Sequence, residues 1–340
     1  MNAMVLKSCA PIETAPLERR EVPDPVAGPG EIRVRVHTCG TCRTDLHVIE
    51  GELPPLDRPI IPGHQIVGTV DQPGPGTSRF RVGDRVGIAW LHHACGQCSF
   101  CRSDRENLCE SSVFTGYHAP GGYAELVVVP EDFAYPIPSV FSDLEAAPLL
   151  CAGIIGYRSL RRSECRPGQT LALYGFGSSA HIVIQIALHW GCTVYVCTRN
   201  AGHRELALRL GAAWAGSRAE QMPTPADSAI LFAPAGDLVP PALKQLKKGG
   251  TLALAGIYMT DVPSLGYEEH LFYEKNLRSV TANTRQDGLD LLEVAARIPI
   301  RPRTEVFPLA KANEALLRLK QDRLRGSGVL TILPEARQNR

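Results

Sequence analysis

TLALYGFGSSAHIVIQIALHWG, residues 170–191, is the stretch whose reading decides the fold. TLALYG (170–175) is a short apolar strand. SSAHIVIQIALHWG (178–191) has helical spacing and stops at Gly191. Between them GFGSSA fits G-x-G-x-x-[GA], with Gly175, Gly177 and Ala180 at the three small positions. The first glycine makes a tight turn, the second lets backbone approach a pyrophosphate, and the small third residue lets helix and strand pack closely. The helix N-terminus attracts the anion. Phe176, Ser178 and Ser179 complete the loop and are candidate coenzyme contacts with the glycines. A glycine turn that binds nothing is the alternative, and the strand–turn–helix context weighs against it.

The same texture continues downstream. TVYVC (193–197) reads as a strand, HRELALRLG (203–211) as a helix and SAILFAP (228–234) as a strand. PPALKQLKKGG (240–250) reads as a helix with a glycine stop, and TLALAGI (251–257) as a strand that delivers Gly256 and Ile257 towards the coenzyme. Strands alternating with helices define a parallel, doubly wound sheet. In such a sheet an acid at the end of the second strand would hydrogen-bond the ribose 2′-OH of NAD. Here TVYVCTRN puts Thr198 in that place, followed by Arg199. No acid repels a 2′-phosphate and a cation is at hand, so NADP(H) is expected over NAD. The alternative is a solvated Arg199 with NAD bound without the acidic contact.

Upstream, to about residue 150, the chain is rich in Pro, Gly and short alternating segments. EIRVRVHT (31–38) sets Ile32, Val34 and Val36 against Arg33, Arg35 and His37, as a half-buried strand does. HQIVGTV and GDRVGIAW read as further strands, with turns such as QPGPG between. An irregular β-barrel or sandwich is expected. From about residue 286 one helix, AKANEALLRLKQ, and one strand, GVLTILP, are expected, then a frayed tail, EARQNR.

Composition narrows the function. The 340 residues suit two domains. Lys and Arg (36) nearly balance Asp and Glu (35) without a long basic run, which argues against nucleic acid as a partner. No segment has the apolar length of a membrane span, and the N-terminal residues lack a signal-peptide core, so a soluble cytoplasmic protein is expected. The 11 cysteines, an odd number without an export signal, argue against a disulfide framework. Cys9, Cys165, Cys192 and Cys197 are expected to be small buried or semi-buried apolar residues.

The remaining cysteines cluster. CGQCSFCRSDRENLC holds Cys95, Cys98, Cys101 and Cys109 as C-x2-C-x2-C-x7-C. Four thiolates fill a tetrahedral zinc and leave no position for a substrate, so this is a staple. His92 and His93 just before it read as a solvated loop pair beside a complete set. CGTCRTDLH (39–47) offers Cys39 and Cys42; a redox C-x2-C belongs at a helix in a thioredoxin-like unit, whereas this pair follows a strand in the β-rich part. PGHQIVG supplies His64 and PLLCAGIIGYRSL supplies Cys151, each by itself an ordinary buried residue. Taken together, Cys42, His64 and Cys151 form a three-ligand set with one zinc position open, as a working zinc requires.

With these motifs in order (CGTCRTDLH, PGHQIVG, VGDRVGI, the four-Cys lobe with RENLC, GGYAE, LLCAGIIGY, GFGSSA) the chain resembles the zinc-dependent medium-chain alcohol dehydrogenases, essentially end to end. The resemblance implies an α/β fold with a GroES-like catalytic domain, residues 1–150 completed by 286–340, and an inserted Rossmann domain, residues 151–285. It implies two zinc ions per chain: a catalytic one on Cys42, His64 and Cys151, and a structural one on the four-Cys lobe. Asp45 would orient His64. Thr44 would take the alcohol proton and pass it through the coenzyme ribose to His47, and Arg43 would contact the pyrophosphate. Zinc as a Lewis acid would acidify the alcohol or polarise the carbonyl, with hydride passing to or from NAD(P).

Trp90, with Leu91, would line the substrate pocket, core packing being the alternative; a bulky pocket favours primary, unbranched or aromatic alcohols and aldehydes. The family assembles as homodimers or homotetramers through the coenzyme-domain sheet edge, here expected near TLALAGIYMTD (251–261). Three positions depart from the family pattern. Gln65 replaces a Glu and removes a negative charge near the metal, Ile155 replaces a Thr packed on the nicotinamide, and Ser327 stands where an Arg often reaches the coenzyme phosphates. Arg325 is nearby but is not taken as its replacement. The rivals are a zinc-free quinone or enoyl reductase, which needs neither cysteine set, and a non-enzymatic coenzyme-binding protein, which needs no Thr44–His47 relay.

Overall fold

The computed structural model describes residues 1–298 and 300–332. The chain divides into two compact units. One comprises Met1–Cys151, Ala282–Ala296 and Pro302–Arg340; the other comprises Ala152–Thr281 and Arg297–Arg301.

In the second unit the central strand Thr170–Tyr174 is apolar because both its faces are covered: Leu171, Ala172, Leu173 and Tyr174 are all buried. All six strands are parallel. In chain order they are Thr170–Tyr174, Thr193–Cys197, Trp214–Gly216, Ala226–Leu231, Leu246–Leu254 and Asn276–Ser279. Counted that way, their order across the sheet is 3-2-1-4-5-6, the doubly wound dinucleotide-binding arrangement. The helices Ser178–His189 and Ala201–Arg209 follow the first two strands, as their periodicity indicates.

Three details differ from the sequence reading. The helix expected over 240–250 spans Val239–Lys244, and Leu246–Leu254 is already strand. Leu246 pairs with Ala226, and Thr251 with Ser228, so the surplus residues Lys247–Gly250 bulge out, with Gly249 at φ 75°. Strand pairing overrides the local helical preference of the lysines. The expected strand 251–257 ends at Leu254, leaving Gly256 and Ile257 in the loop beyond it. That strand is interior; the sheet edge is Asn276–Ser279, which with Trp214–Gly216 was too short and mixed to read from periodicity.

The first unit is built on the long strand Glu31–Gly40, whose Ile32, Val34 and Val36 are buried as the alternation requires. It pairs antiparallel with Gln65–Pro73, with Leu126–Pro130 and with Ser327–Thr331. Gly40 lies opposite Gln65 in this ladder. That register places the residues after one strand and before the other, Cys42 and His64, at the same corner. The C-terminal part carries more than one helix and one strand: Arg285–Arg297 is a helix, and Thr304–Pro308 pairs in parallel with Ser327–Thr331. Gly288 obscured that helix, and its absent side chain has a packing reason, since a Cβ there would lie 2.4 Å from the Tyr135 ring. The helix Ala312–Lys320 is as expected. Leu333 and Pro334 of GVLTILP, and the tail EARQNR, lie outside the described residues. No described helix is long and apolar enough to cross a membrane.

Candidate metal centres and coenzyme loop

Cys42 caps the helix Arg43–Glu50. Three residues on, Asp45 turns back and its Oδ2 accepts the Cys42 N–H at 2.8 Å. The same oxygen accepts the Tyr123 hydroxyl at 3.0 Å, and Oδ1 faces His64 Nδ1 at 3.0 Å. A carboxylate only accepts, so Nδ1 carries a proton, and Nε2 is the nitrogen left to take a metal once its own proton is lost. Nε2 lies 3.3 Å from Cys151 Sγ. Cys151 sits in the π-helical turn Leu149–Gly153, a distortion common at functional sites. Cys42 Sγ and Cys151 Sγ are 3.7 Å apart. The Gly63 backbone has φ 97°, and a Cβ there would stand 2.4 Å from the Tyr123 ring, so glycine is needed before His64 on both counts.

The electrostatics suit a cation. Asp45, His64 and Tyr123 are all buried. Burial alone would push the His64 pKa down, but the charge and hydrogen bond of Asp45, together with those of Cys42, outweigh it and raise the value to about 10. The hydrogen bond between Cys151 and Cys42 pulls the Cys42 thiol well below its ordinary value and pushes Cys151 well above. The hydrogen bond thus favours thiolate on Cys42 and thiol on Cys151, and a divalent cation bound here would displace the protons these groups hold.

The donors fit zinc. Tetrahedral zinc with Zn–S of about 2.3 Å and Zn–N of about 2.0 Å spaces its sulfurs roughly 3.8 Å apart and sulfur from nitrogen roughly 3.5 Å. The observed 3.7 Å and 3.3 Å match this pattern and are far from a disulfide of about 2.05 Å. Among the described residues Cys42, His64 and Cys151 form a group of three, without a fourth Cys, His or carboxylate. Buried Thr44 borders it, its Oγ1 3.6 Å from Cys42 Sγ.

Cys95, Cys98, Cys101 and Cys109 form the other candidate group. Its sulfurs lie 3.5 Å (Cys98–Cys101) and 3.9 Å (Cys95–Cys101) apart, again zinc spacing. Backbone N–H groups of Cys95 and Cys101 donate to the sulfurs of Cys109 and Cys98, which favours thiolates. His92 and His93 belong to neither group. They are not the solvated loop pair expected: His92 is buried on the short strand Leu91–His93 and only His93 is exposed, because the strand pairs with Val113–Phe114. Cys39 is buried in the core and joins neither cluster, so no redox pair forms with Cys42.

Trp90 meets the His64 ring edge-on, with centroids 5.0 Å apart, and stacks on Phe114 at 5.0 Å and Tyr117 at 6.2 Å. Leu91 is fully buried and belongs to the core. The His47 ring is hydrogen-bonded to Glu52, and the exposed Arg43 guanidinium donates to Asp322 at 2.7 Å. Gln65 and Ser327 are both buried at strand starts. Tyr123, Phe114 and Tyr117 were missed from the sequence. GGYAE and its glycines signalled a tight site, but nothing local says that a tyrosine 78 positions from Asp45 bonds it.

In the second unit Gly175 has φ 87°, and a Cβ there would come within 3.0 Å of the Ala233 nitrogen. Gly177 is exposed and Ser178 and Ser179 half-buried at the helix start, while Phe176 is buried and offers backbone only. Thr198 is buried and Arg199 exposed just past the second strand. Arg204, also missed, binds the carbonyls of both.

A doubly wound coenzyme sheet, together with a β-rich unit bearing a three-donor and a four-donor metal group, defines a two-unit metal-dependent dehydrogenase. Residues 28–139 match the alcohol dehydrogenase GroES-like domain and residues 180–297 the zinc-binding dehydrogenase domain. The chain is 52% identical to the probable alcohol dehydrogenase AdhA of Mycobacterium tuberculosis (strain CDC 1551 / Oshkosh), over 98% of this chain and 97% of that one. It is 35% identical to an alcohol dehydrogenase of Geobacillus stearothermophilus, over 93% and 96% of the two chains. Among solved structures it is similar to a cinnamyl alcohol dehydrogenase (SbCAD4) of Sorghum bicolor, with a TM-score of 0.87, 28% identity and 97% and 98% coverage. The chain belongs to the zinc-type medium-chain alcohol dehydrogenase family. It is an NAD(P)-dependent oxidoreductase acting on alcohols or aldehydes.

Replacing Asp45 by Asn removes the charge that sets the His64 tautomer. Metal analysis after dialysis should show the Cys42–His64–Cys151 group binding zinc roughly 10–100-fold more weakly, with the four-Cys group unaffected. In the wild type zinc affinity should climb as pH rises towards about 10, because the free imidazole holds its proton until then.

Proposed function

We propose that Cys42, His64 and Cys151 hold the catalytic zinc and that Cys95, Cys98, Cys101 and Cys109 hold a structural one. The three-donor group, with Asp45 behind its histidine and one position left over, carries this reading. Zinc, when bound there, supplies Lewis acidity towards an alcohol or carbonyl oxygen. Asp45 keeps the His64 lone pair aimed at the group. Thr44, at its edge, accepts the alcohol proton or returns it. His47 is the solvent end of that relay, and Glu52 holds its ring. Arg43 serves the coenzyme phosphates; in its present position it is paired with Asp322.

Wild-type protein should carry two zinc ions per chain. Cys151→Ser should retain one and lose alcohol oxidation while still binding coenzyme. Wild-type protein with zinc in the four-Cys lobe alone would refute the assignment.

For the substrate we favour primary, unbranched or aromatic alcohols and aldehydes, since Trp90 and its stacked neighbours put flat, bulky walls beside His64. Trp90→Ala should raise kcat/KM for branched relative to unbranched alcohols, by roughly tenfold if one close contact is relieved. An unchanged ratio would make Trp90 a core residue only.

For the coenzyme we favour NADP(H). Thr198 and Arg199 replace the acid that would hold a ribose hydroxyl, and the stretch 198–204, TRNAGHR, contains no acid. Fluorescence titration should give tighter binding of NADPH than of NADH, and Arg199→Ala should narrow the gap. Tighter NADH binding would reverse the preference. Ser178, Ser179, Gly256 and Ile257 remain candidate contacts alongside the glycines.

A second copy of this chain is the proposed partner. The sheet edge Asn276–Ser279 lies near the exposed Ile257, Tyr258, Tyr267 and Phe272 in sequence, an unusual density of exposed apolar side chains. Sedimentation should show a dimer or tetramer; a monomer at micromolar concentration would remove this proposal.

A further inference from the structure

The loop that ends the second coenzyme strand is held more firmly than a surface loop requires. Thr198 donates its N–H to Gly216 O at 2.8 Å, and Asn200 Oδ1 accepts the His203 N–H at 3.1 Å, starting the next helix. From the first turn of that helix Arg204 reaches back. Its Nη1 donates to Thr198 O at 2.9 Å and to Arg199 O at 2.7 Å.

These two carbonyls stand at the carboxyl end of a strand, where a doubly wound sheet receives the ribose of its dinucleotide. Free carbonyl oxygens there would present partial negative charge to an incoming phosphate. A half-buried guanidinium bonded to both cancels that charge and fixes the two peptide planes from which the exposed Arg199 projects. Arg218 follows the neighbouring strand, whose Gly216 pairs with Cys197, so a third guanidinium belongs to the same end of the sheet. Of the acids at this end, Glu205 is paired with Arg209 along its helix, and Glu220, two residues after Arg218, is near enough to Cys197 that, besides burial, its charge raises that thiol.

We propose that Arg204 is a positioning residue for coenzyme choice: by clamping the carbonyls of Thr198 and Arg199 it presets this loop for a coenzyme bearing a 2′-phosphate. The proposal rests on the NADP(H) reading above and adds to it a residue that need not touch the coenzyme itself. A lysine at 204 would keep the charge but not the planar, delocalised group that holds the clamp.

The test is fluorescence titration of the zinc-loaded protein with NADPH and with NADH, for wild type, Arg204→Met and Arg204→Lys, with thermal unfolding of each as a check on folding. Arg204→Met should weaken NADPH by roughly tenfold while NADH changes far less, as expected when the loop that presents Arg199 to the 2′-phosphate is no longer held and that charge-assisted contact weakens. Arg204→Lys should fall between, and kcat at saturating NADPH should be retained in both. Equal weakening of both coenzymes would make Arg204 a general brace and overturn the proposal, as would unchanged NADPH binding. The wild-type titration is read first. Tighter NADH there defeats the coenzyme reading itself, whereas tighter NADPH with an indifferent Arg204→Met defeats this inference alone.

Discussion

A single buried carboxylate, Asp45, organises the catalytic unit. It accepts from the Cys42 backbone, the Tyr123 hydroxyl and the His64 ring, and so joins a helix start, the GGYAE turn and the residue before a strand. A buried carboxylate without partners would cost several kcal/mol, so these donors cannot be exchanged freely. Each partner is itself constrained. Tyr123 sits where only a glycine at 63 leaves room, and Cys42 is fixed as the helix cap.

From this arrangement follows the proton inventory of the site. Asp45 and Cys42 favour a proton on His64, and the Cys42–Cys151 hydrogen bond favours thiolate on Cys42 over Cys151. A divalent cation would replace those protons, and the sulfur and nitrogen spacings already suit it. The four-Cys lobe has the same sulfur spacing but a full set of donors, which is the ground for the structural role proposed for it.

The coenzyme unit rests on a different constraint. Its parallel sheet brings the carboxyl ends of neighbouring strands together, so the phosphate loop after Tyr174, the loop after Cys197 and the turn after Gly216 share one end. Selectivity there depends on which charges those ends carry: Arg199 and Arg204 follow Cys197, and Arg218 and Glu220 follow Gly216.

The local sequence was sufficient for anything held by spacing along the chain. The doubly wound sheet, the phosphate turn at Gly175–Ala180, the four-Cys lobe and the alternating strand 31–38 were legible because period and turn chemistry are local properties. The fold reading failed where long-range pairing outweighed local preference, as in the bulged strand Leu246–Leu254, or where one glycine masked a helix, as at Gly288. Cys42, His64 and Cys151 were legible only as a set, since His64 and Cys151 taken singly read as ordinary buried residues. That the three come within bonding distance, that Tyr123 completes the shell of Asp45, that Trp90 rests on the His64 ring, and that Arg204 clamps two carbonyls were decided only by tertiary structure. These are meetings of side chains from separate elements, governed by strand register and packing, and no pattern in a local window encodes them.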